Sequence, residues 1–473
     1  MLKVLICASE VAPIIKLGGL GDVVGSLPKA LEKLGVDADV VVPFVPAAKI
    51  IGLKVYKSMD MQVLYGGEVH TIGVYATKLP GSFVDVYMLK NDAIFSEAGK
   101  SAFADSIAET KIYSFFSRCV VELIKTKFNT YDVIHCNDWH TGLITHILQD
   151  ELGVERPATI MTIHNLSYQG VGDTHVLEEV DLDISSHKTV KWDISDGDVN
   201  FLMQGIASAD FINTVSPSYA KELLAQEDSS KISEVLTSRH DRFIGILNGL
   251  DYSSYPRKFN GENYQDTKAS AKKQLAQELR MGLEDAPVFS AITRLDPNQK
   301  GLDILLTVLP GIVEKGGKFV LLGSGNKEWE EKFKELAKKL GAGNVSINTT
   351  FDTELAVRIY EASDFFLIPS KFEPCGLTQM ISMWYGAIPV VHGVGGLRDT
   401  VKEGKTGFLF GDYSANSFNK SLDKCFKIYQ SPVHSDMIKE CLRADFSFDK
   451  SAKSYKELYE KAVQIRQDAF TEE

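Results

Sequence analysis

Along this chain, short apolar runs rich in β-branched residues pass through a turn into a helical repeat, and the alternation stops once before it restarts. Such a rhythm admits few folds, because strand–helix–strand units laid side by side build a parallel sheet with helices over both faces. "KVLICAS" is followed at helical spacing by Val23, Val24, Leu27, Ala30, Leu31 and Leu34, then by Gly35 and "ADVVVPF". "YDVIHCND", "ATIMTIHN" and "ADFINTVSPSYAKELL" carry the series on, each strand pattern feeding a turn or a helix. Pro28 inside the first helical run predicts a kink there.

Near "RFIGILNGLDYSSYPRKFNGENYQD" the periodicity gives way to polar and turn-forming residues, and a new helix is expected to begin around Lys268. "APVFSAITRLD", "GLDILLTVLPGIVEKG", "KFVLLGSG", "NVSINTTF", "TELAVRIYEAS" and "DFFLIPS" then repeat the alternation. At 473 residues the chain is too long for one core. The expected architecture is therefore α/β, with two doubly wound parallel-sheet domains over residues 1–249 and 250–449. In the tail 450–473, Ala452, Tyr455, Tyr459 and Ala462 fall on one helical face, which predicts packing back onto the first domain.

An excess of 63 acidic over 51 basic residues, without a Lys/Arg run, argues against nucleic acid or anionic membrane as a partner. The apolar start meets Glu10 and Pro13, and no apolar run is long enough to span a bilayer, so the expected location is the cytoplasm. The six cysteines, at 7, 119, 136, 375, 425 and 441, form no CxxC pair, which indicates small buried residues rather than a zinc set or disulfides.

Several turns carry chemistry. "KLGGLGDV" joins a strand end to a helix start through Gly18, Gly19 and Gly21, which suits close approach of an anionic ligand and equally suits a tight packing turn. Its spacing is not GxGxxG, and no acidic residue ends the next strand, which argues against a dehydrogenase. "TRLDPNQKG" places Arg294 and Lys300 after a strand of the second half. With no acid to neutralise them they suit a diphosphate, although a solvated surface pair has the same signature. "SKFEPCGL" sets Glu373 at a helix mouth, where a carboxylate can hold a ligand or simply meet the helix dipole. "GVGGLRDT" repeats the arrangement with Gly395 and Gly396, and two such mouths together point to a nucleotide or sugar site. His135, Asp138, His140 and His164 lie at strand ends of the first half, but no HExxH or similar helical pair exists and no metal is expected. The "DLD" of 181–183 sits in an amphipathic segment and reads as surface.

Taken together, "KLGGLGDVVGSLPKAL", "HCNDWHTGL", "TIHNLSYQG", "NTVSPSYAKE", "GILNGLD", "QKGLDIL", "SKFEPCGLTQM" and "YGAIPVVHGVGGLRDTV" closely resemble the bacterial glycogen synthase and plant starch synthase family, over residues 1 to about 460. The resemblance implies two Rossmann-like domains facing a cleft, the GT-B arrangement; the cleft is expected to close on the donor by a hinge near Asn248 to Pro256. It implies transfer of glucose from ADP-glucose to the non-reducing end of an α-1,4-glucan, glycogen or maltooligosaccharide, with retention of configuration and with neither metal nor other cofactor. Carried over by motif, Lys16, Gly18 and Gly19 would meet diphosphate and sugar from the first domain, and Arg294 and Lys300 would meet the diphosphate from the second. Glu373 would hold the glucose hydroxyls and stabilise charge at the anomeric carbon. Cys375, Gly376 and Leu377 of the same motif, and Gly395, Gly396 and Thr400 of the next, would line the donor. His164 would lie beside the transferring glucose, with Asp138 and Asn248 orienting donor and acceptor. Phe351 stands at a position associated with the adenine.

The chain departs from the family pattern at Leu17, at Phe351 where Tyr is frequent, at Met203 for Lys and at Tyr255 for Trp; "RLDPNQK" is one residue longer than usual. Relatives that build sucrose phosphate or decorate lipids carry a second Glu eight residues after the first; Ile381 stands there, which favours the glucan synthase branch. The competing readings are a same-fold transferase that prefers UDP-glucose or a short maltooligosaccharide, and an inactive glucan-binding protein indifferent to Glu373→Ala. A pyridoxal-phosphate glucan phosphorylase is disfavoured, because no matching lysine context is present.

Overall fold

A computed structural model of the chain describes residues 1–98, 107–127, 130–226, 230–350 and 352–472. The chain divides into two compact units, Met1–Gly249 with Ser447–Glu473, and Leu250–Phe446.

Among the described residues, the sheet of the first unit has nine strands in the order Phe243–Gly245, Phe211–Thr214, Ala158–Ile163, Val133–Asn137, Lys3–Cys7, Asp37–Pro43, Asp85–Lys90, Glu68–Lys78 and Tyr56–Tyr65. All neighbours run parallel except at the far edge, where Glu68–Lys78 is antiparallel to both of its partners. The central strands are covered on both faces: Val4, Leu5, Val40, Val41, Val133, Ile134, Ile160 and Met161 are fully buried. This is the environment that continuous Val/Ile runs satisfy. Helix Gly19–Glu32 continues past Pro28 without a break, and Pro28 is itself buried. The lost backbone hydrogen bond is thus set against an apolar ring in the core.

Helix Phe448–Glu472 lies on this sheet, with Ala452, Tyr455, Leu458, Tyr459 and Ala462 almost fully buried. Its hydroxyls close a polar network across three strands. Tyr459 Oη lies 2.8 Å from His135 Nδ1, His135 Nε2 lies 2.6 Å from Thr162 Oγ1, Thr162 Oγ1 donates to Asn213 Oδ1, and Asn213 Nδ2 donates to Tyr455 Oη. Because the Thr162 hydrogen is committed to Asn213, His135 must donate through Nε2 and accept from Tyr459 through Nδ1. Burial pushes the His135 pKa down to about 3, so the ring is neutral.

The second unit holds six parallel strands in the order Val345–Asn348, Lys318–Leu322, Val288–Ile292, Phe365–Ile368, Ile388–His392 and Phe408–Phe410. Its first helix begins at Tyr264 rather than near Lys268. Lys268 is one of its buried residues: the ammonium donates to the carbonyl oxygens of Glu361, Ser363 and Tyr385, and burial lowers its pKa to about 8. Polar lettering concealed a core-facing turn there. All six cysteines are buried and free, and no described helix is long and apolar enough to cross a membrane.

In both sheets the strand order reverses direction beside the first strand of the unit, between Lys3–Cys7 and Val133–Asn137 and between Val288–Ile292 and Phe365–Ile368. Ligands of doubly wound sheets bind outside the carboxyl ends of the strands at such points. The tyrosine network has a direct test. Tyr459→Phe leaves His135 Nδ1 buried without its donor and should lower stability by about 1–3 kcal/mol in urea unfolding of the full chain. An unchanged midpoint would show that the network contributes nothing.

Candidate active site

The loop after Val288–Ile292 carries Arg294 and Lys300, and the loop after Phe365–Ile368 carries Ser370 and Glu373. The loops are joined by backbone: Lys371 N–H donates to the Gln299 carbonyl at 2.8 Å. Gln299, itself buried, offers Oε1 to Arg294 at 3.5 Å. Lys300 Nζ sits 2.8 Å from Glu373 Oε2, and Ser370 Oγ donates to the same oxygen at 2.8 Å. Arg294 lies 3.9 Å from Asp296. The expectation of two cations without acids is therefore corrected. Lys300 is recessed, with 17% of its side chain exposed, and a recessed charge requires a partner. Arg294, Lys300, Glu373, Gly376 and Leu377 all line one cavity of about 170 Å³.

The second glycine-bearing mouth packs directly on the first. Gly396 N–H donates to the Glu373 carbonyl at 3.1 Å. Gly395 holds φ +44°, and a Cβ there would lie 2.0 Å from the same carbonyl oxygen, so no larger residue fits. Cys375 is buried against Gly396, and Thr400 Oγ1 donates to the Gly396 carbonyl at 2.7 Å. Phe351 lies outside the described residues.

In the first unit, Asp138 follows Val133–Asn137 at φ 57° and ψ 179°, a strained combination otherwise almost confined to glycine. Its Oδ1 accepts from the His164 backbone N–H at 2.8 Å, and His164 Nε2 lies 2.9 Å from Asn137 Oδ1. Asn137 spends its amide hydrogens on the Cys7 and His135 carbonyls, so its oxygen accepts and His164 carries its hydrogen on Nε2. Burial pushes the His164 pKa down to about 3. Burial pushes the Asp138 carboxyl up to about 7, against the backbone amides of His164 and Asn165.

The glycine loop brought an unexpected residue. Lys16 pairs with Asp22 at 2.6 Å. The amides of Leu17 and Gly18 donate to Glu10 Oε2, the Gly18 bond being 2.9 Å. Glu10 is buried, and burial raises its pKa. Its signal in the sequence was a lone acid between an apolar strand and a glycine loop. Gly19 opens helix Gly19–Glu32 and stays clear of that carboxylate bond. Asn248, after strand Phe243–Gly245, buries an Oδ1 that has no partner among the described residues.

His135 and His140 do not join this group. His135 is bound into the tyrosine network, and His140 stacks on Trp139 at 4.0 Å between centroids. Asp183 caps a short 3-10 turn through Ser185. Among the described residues, no three or more His, Cys, Asp or Glu side chains gather as a metal site.

Residues 3–238 match the family model of the starch synthase catalytic domain, and residues 280–440 match glycosyl transferases group 1. The glycogen synthase of Geotalea daltonii is 37% identical over 97% of this chain and 98% of the relative. The chain belongs to the glycogen and starch synthase family. The glycogen synthase of Thermotoga maritima is likewise 37% identical, over 98% of this chain and 99% of its own. Among solved structures, the catalytic domain of Starch Synthase IV from Arabidopsis thaliana, bound to ADP and acarbose, matches with a TM-score of 0.89 at 30% identity, covering 98% of this chain and 99% of that one. Sucrose-phosphate synthase from Thermosynechococcus elongatus, at 17% identity and a TM-score of 0.62, shares the fold. The synthase is a glycosyltransferase of GT-B fold.

The shifted carboxyl in its first unit gives a pH signature. Unfolded, Asp138 titrates near 4; folded, near 7. Between those values the native state keeps a proton that the unfolded state has lost, so this group's contribution to stability falls as pH rises from about 4 to about 7 and is level above. Asp138→Asn should remove that slope from urea midpoints measured across the interval. Equal slopes in both proteins would refute the shift.

Proposed function

We propose that the synthase transfers glucose from ADP-glucose to the non-reducing end of an α-1,4-glucan, with retention of configuration. The observation that carries the reading is Glu373 beside Lys300 in a small cavity at the strand-order reversal of the second unit, with Arg294 on the same wall. Supporting it, the solved Starch Synthase IV structure holds ADP and acarbose. In this reading residues 250–449 take the donor, while the first unit, with the helix of 450–473, receives the glucan.

Breaking the bond between glucose and diphosphate develops positive charge on the sugar and negative charge on the leaving group. A carboxylate toward the sugar and cations toward the phosphates both strengthen in that transition state. Arg294 gives two parallel donors to a phosphate, Lys300 a point charge, and Lys16 a third cation. The turns that carry Gly18 and Gly19, and Gly395 and Gly396 with Cys375, Gly376, Leu377 and Thr400, would line the donor. Lys300 is bound to Glu373, so a diphosphate that draws it away frees the carboxylate for glucose hydroxyls. Neutral His164 presents ring and backbone to the sugar without a competing charge, while Asp138 and Asn248 orient donor and acceptor. With retention, the leaving phosphate takes the acceptor's proton, and no protein nucleophile is needed. The cations of this chemistry are side chains, so the reading needs no metal or other cofactor. Buried free thiols suit a reducing compartment, the cytoplasm.

The test is incorporation of labelled glucose into glycogen and maltooligosaccharides from ADP-glucose and UDP-glucose in parallel, with Glu373→Ala. Faster transfer from ADP-glucose is expected, reduced by about 10²–10³ in the variant. Preference for UDP-glucose would overturn the donor assignment, and full activity of Glu373→Ala would overturn the role of the carboxylate.

A further inference from the structure

Behind the Glu373 turn sits a side chain that touches no ligand in the reading above. Gln379 lies in the first turn of helix Thr378–Trp384 and is fully buried. Its Nε2 is 3.0 Å from the Cys375 carbonyl, 2.9 Å from the Gly376 carbonyl and 3.1 Å from Thr400 Oγ1. Thr400 spends its own hydrogen on the Gly396 carbonyl, so it accepts from Gln379. All three neighbours are acceptors, so the amide faces them with its two hydrogens, one of them shared. That orientation leaves Gln379 Oε1 buried and without a partner among the described residues. A buried oxygen without a donor is destabilising, and an apolar side chain of similar size would avoid it. The amide is kept for what its hydrogens hold.

What they hold is the far end of the turn that presents Glu373. Its near end is fixed by Gly396 N–H on the Glu373 carbonyl. Its far end, at Cys375 and Gly376, is tied through Gln379 to Thr400, the last residue of helix Gly395–Thr400. Gly376 itself stands at φ +73°, and a Cβ there would come within 2.5 Å of Gln379 Oε1, so the amide fills the space under the turn. We propose that Gln379 is a positioning residue, clamping the 373–376 turn to the second glycine-bearing mouth so that the Glu373 carboxylate is held ready for the sugar. This rests on the catalytic reading of Glu373.

Gln379→Glu keeps the shape and replaces both donors by an acceptor facing two carbonyls. Gln379→Met removes the donors without adding charge. In the full-length protein, well below its melting temperature, each should lower kcat by about ten- to a hundredfold while the dissociation constant of ADP changes by less than about threefold, since a misplaced reactive group costs rate before binding. Combined with Glu373→Gln, neither should lower kcat further than Glu373→Gln alone, because residues acting as one unit are not additive. A purely structural role would lower the melting temperature and leave kcat of the folded protein intact, and that result overturns the proposal. An additive loss in the double variant, or a parallel loss of ADP affinity, overturns it equally. If Glu373→Gln itself retains transfer, the reading of Glu373 falls and takes this inference with it; if Glu373→Gln is inactive and Gln379→Glu is not, the inference alone fails.

Discussion

The structure depends on one constraint: a parallel sheet covered on both faces admits a polar side chain only where it is fully partnered, as in the Tyr459 network, or where its strands end. Every central strand of both units is closed off by apolar side chains, from Val4 and Ile160 in the first to Phe289, Val320 and Val390 in the second. At the sheet itself, charge is presented in the turns beyond the strands, and the reversal of strand order leaves two such turns side by side without a helix across them. Arg294 and Glu373 occupy those turns in one unit; the glycine loop and Asp138 occupy them in the other. The glycines follow from the same crowding. Neighbouring turns at one sheet edge pack backbone on backbone, as Gly395 and Gly396 do against Glu373 and Cys375.

Recessed charge in this molecule is met by a partner. Arg156 forks onto Asp210 at 2.7 and 2.8 Å, Lys272 meets Asp364 at 2.6 Å, and Glu10 takes loop amides. Burial works to raise the Asp210 pKa, yet the Arg156 guanidinium and the Thr159 donors bring it below the usual carboxylate range. Such pairs add little net stability, but removing one member strands a charge in a poor solvent. Arg156–Asp210 fixes the start of strand Ala158–Ile163 against the segment leading into Phe211–Thr214, and Lys272–Asp364 holds the first helix of the second unit to the start of a strand. Both lie at the strand edges opposite the site and hold the frame rather than the reaction.

This division explains what could be read from the sequence. Periodicity reports which side chains are buried, so the alternation of elements, the interruption after residue 249 and the stripe of Ala452, Tyr455, Tyr459 and Ala462 were all visible. Pairing between turns far apart in the chain leaves no periodic trace. Lys300 and Glu373 are 73 positions apart, and nothing in "RLDPNQKG" announces that its lysine is already neutralised. Glu10 was hidden for a related reason: a carboxylate beside Pro13 looks like the end of an apolar run until the loop that needs its oxygen folds over it. The helix expected to begin around Lys268 begins at Tyr264, because a lysine whose ammonium meets three carbonyls inside leaves no apolar mark in the sequence. The edge hairpin Tyr56–Tyr65 and Glu68–Lys78 alternates buried and exposed residues, and so does not read as another parallel unit.

The pairing of Lys300 with Glu373 keeps two groups of the proposed reaction in register. Two opposite charges 2.8 Å apart in a recess hold each other's side chains in place, with Ser370 as a third support on the same carboxylate oxygen. In the proposed reaction the two groups serve opposite ends of the bond that breaks, the ammonium at the phosphate and the carboxylate at the sugar. A diphosphate entering the cavity offers Lys300 more negative charge than one carboxylate does, and the exchange releases Glu373 at the moment a glucosyl group is present to receive it. Part of the donor's binding energy is then used to open the ion pair rather than to tighten the ground-state complex, which is how binding is converted into rate. A nucleotide without glucose would open the same pair and leave Glu373 facing an empty subsite, an uncompensated carboxylate in a recess. In this proposal the complete nucleotide sugar is preferred over the free nucleotide, and the bias comes from the ion pair of Lys300 with Glu373.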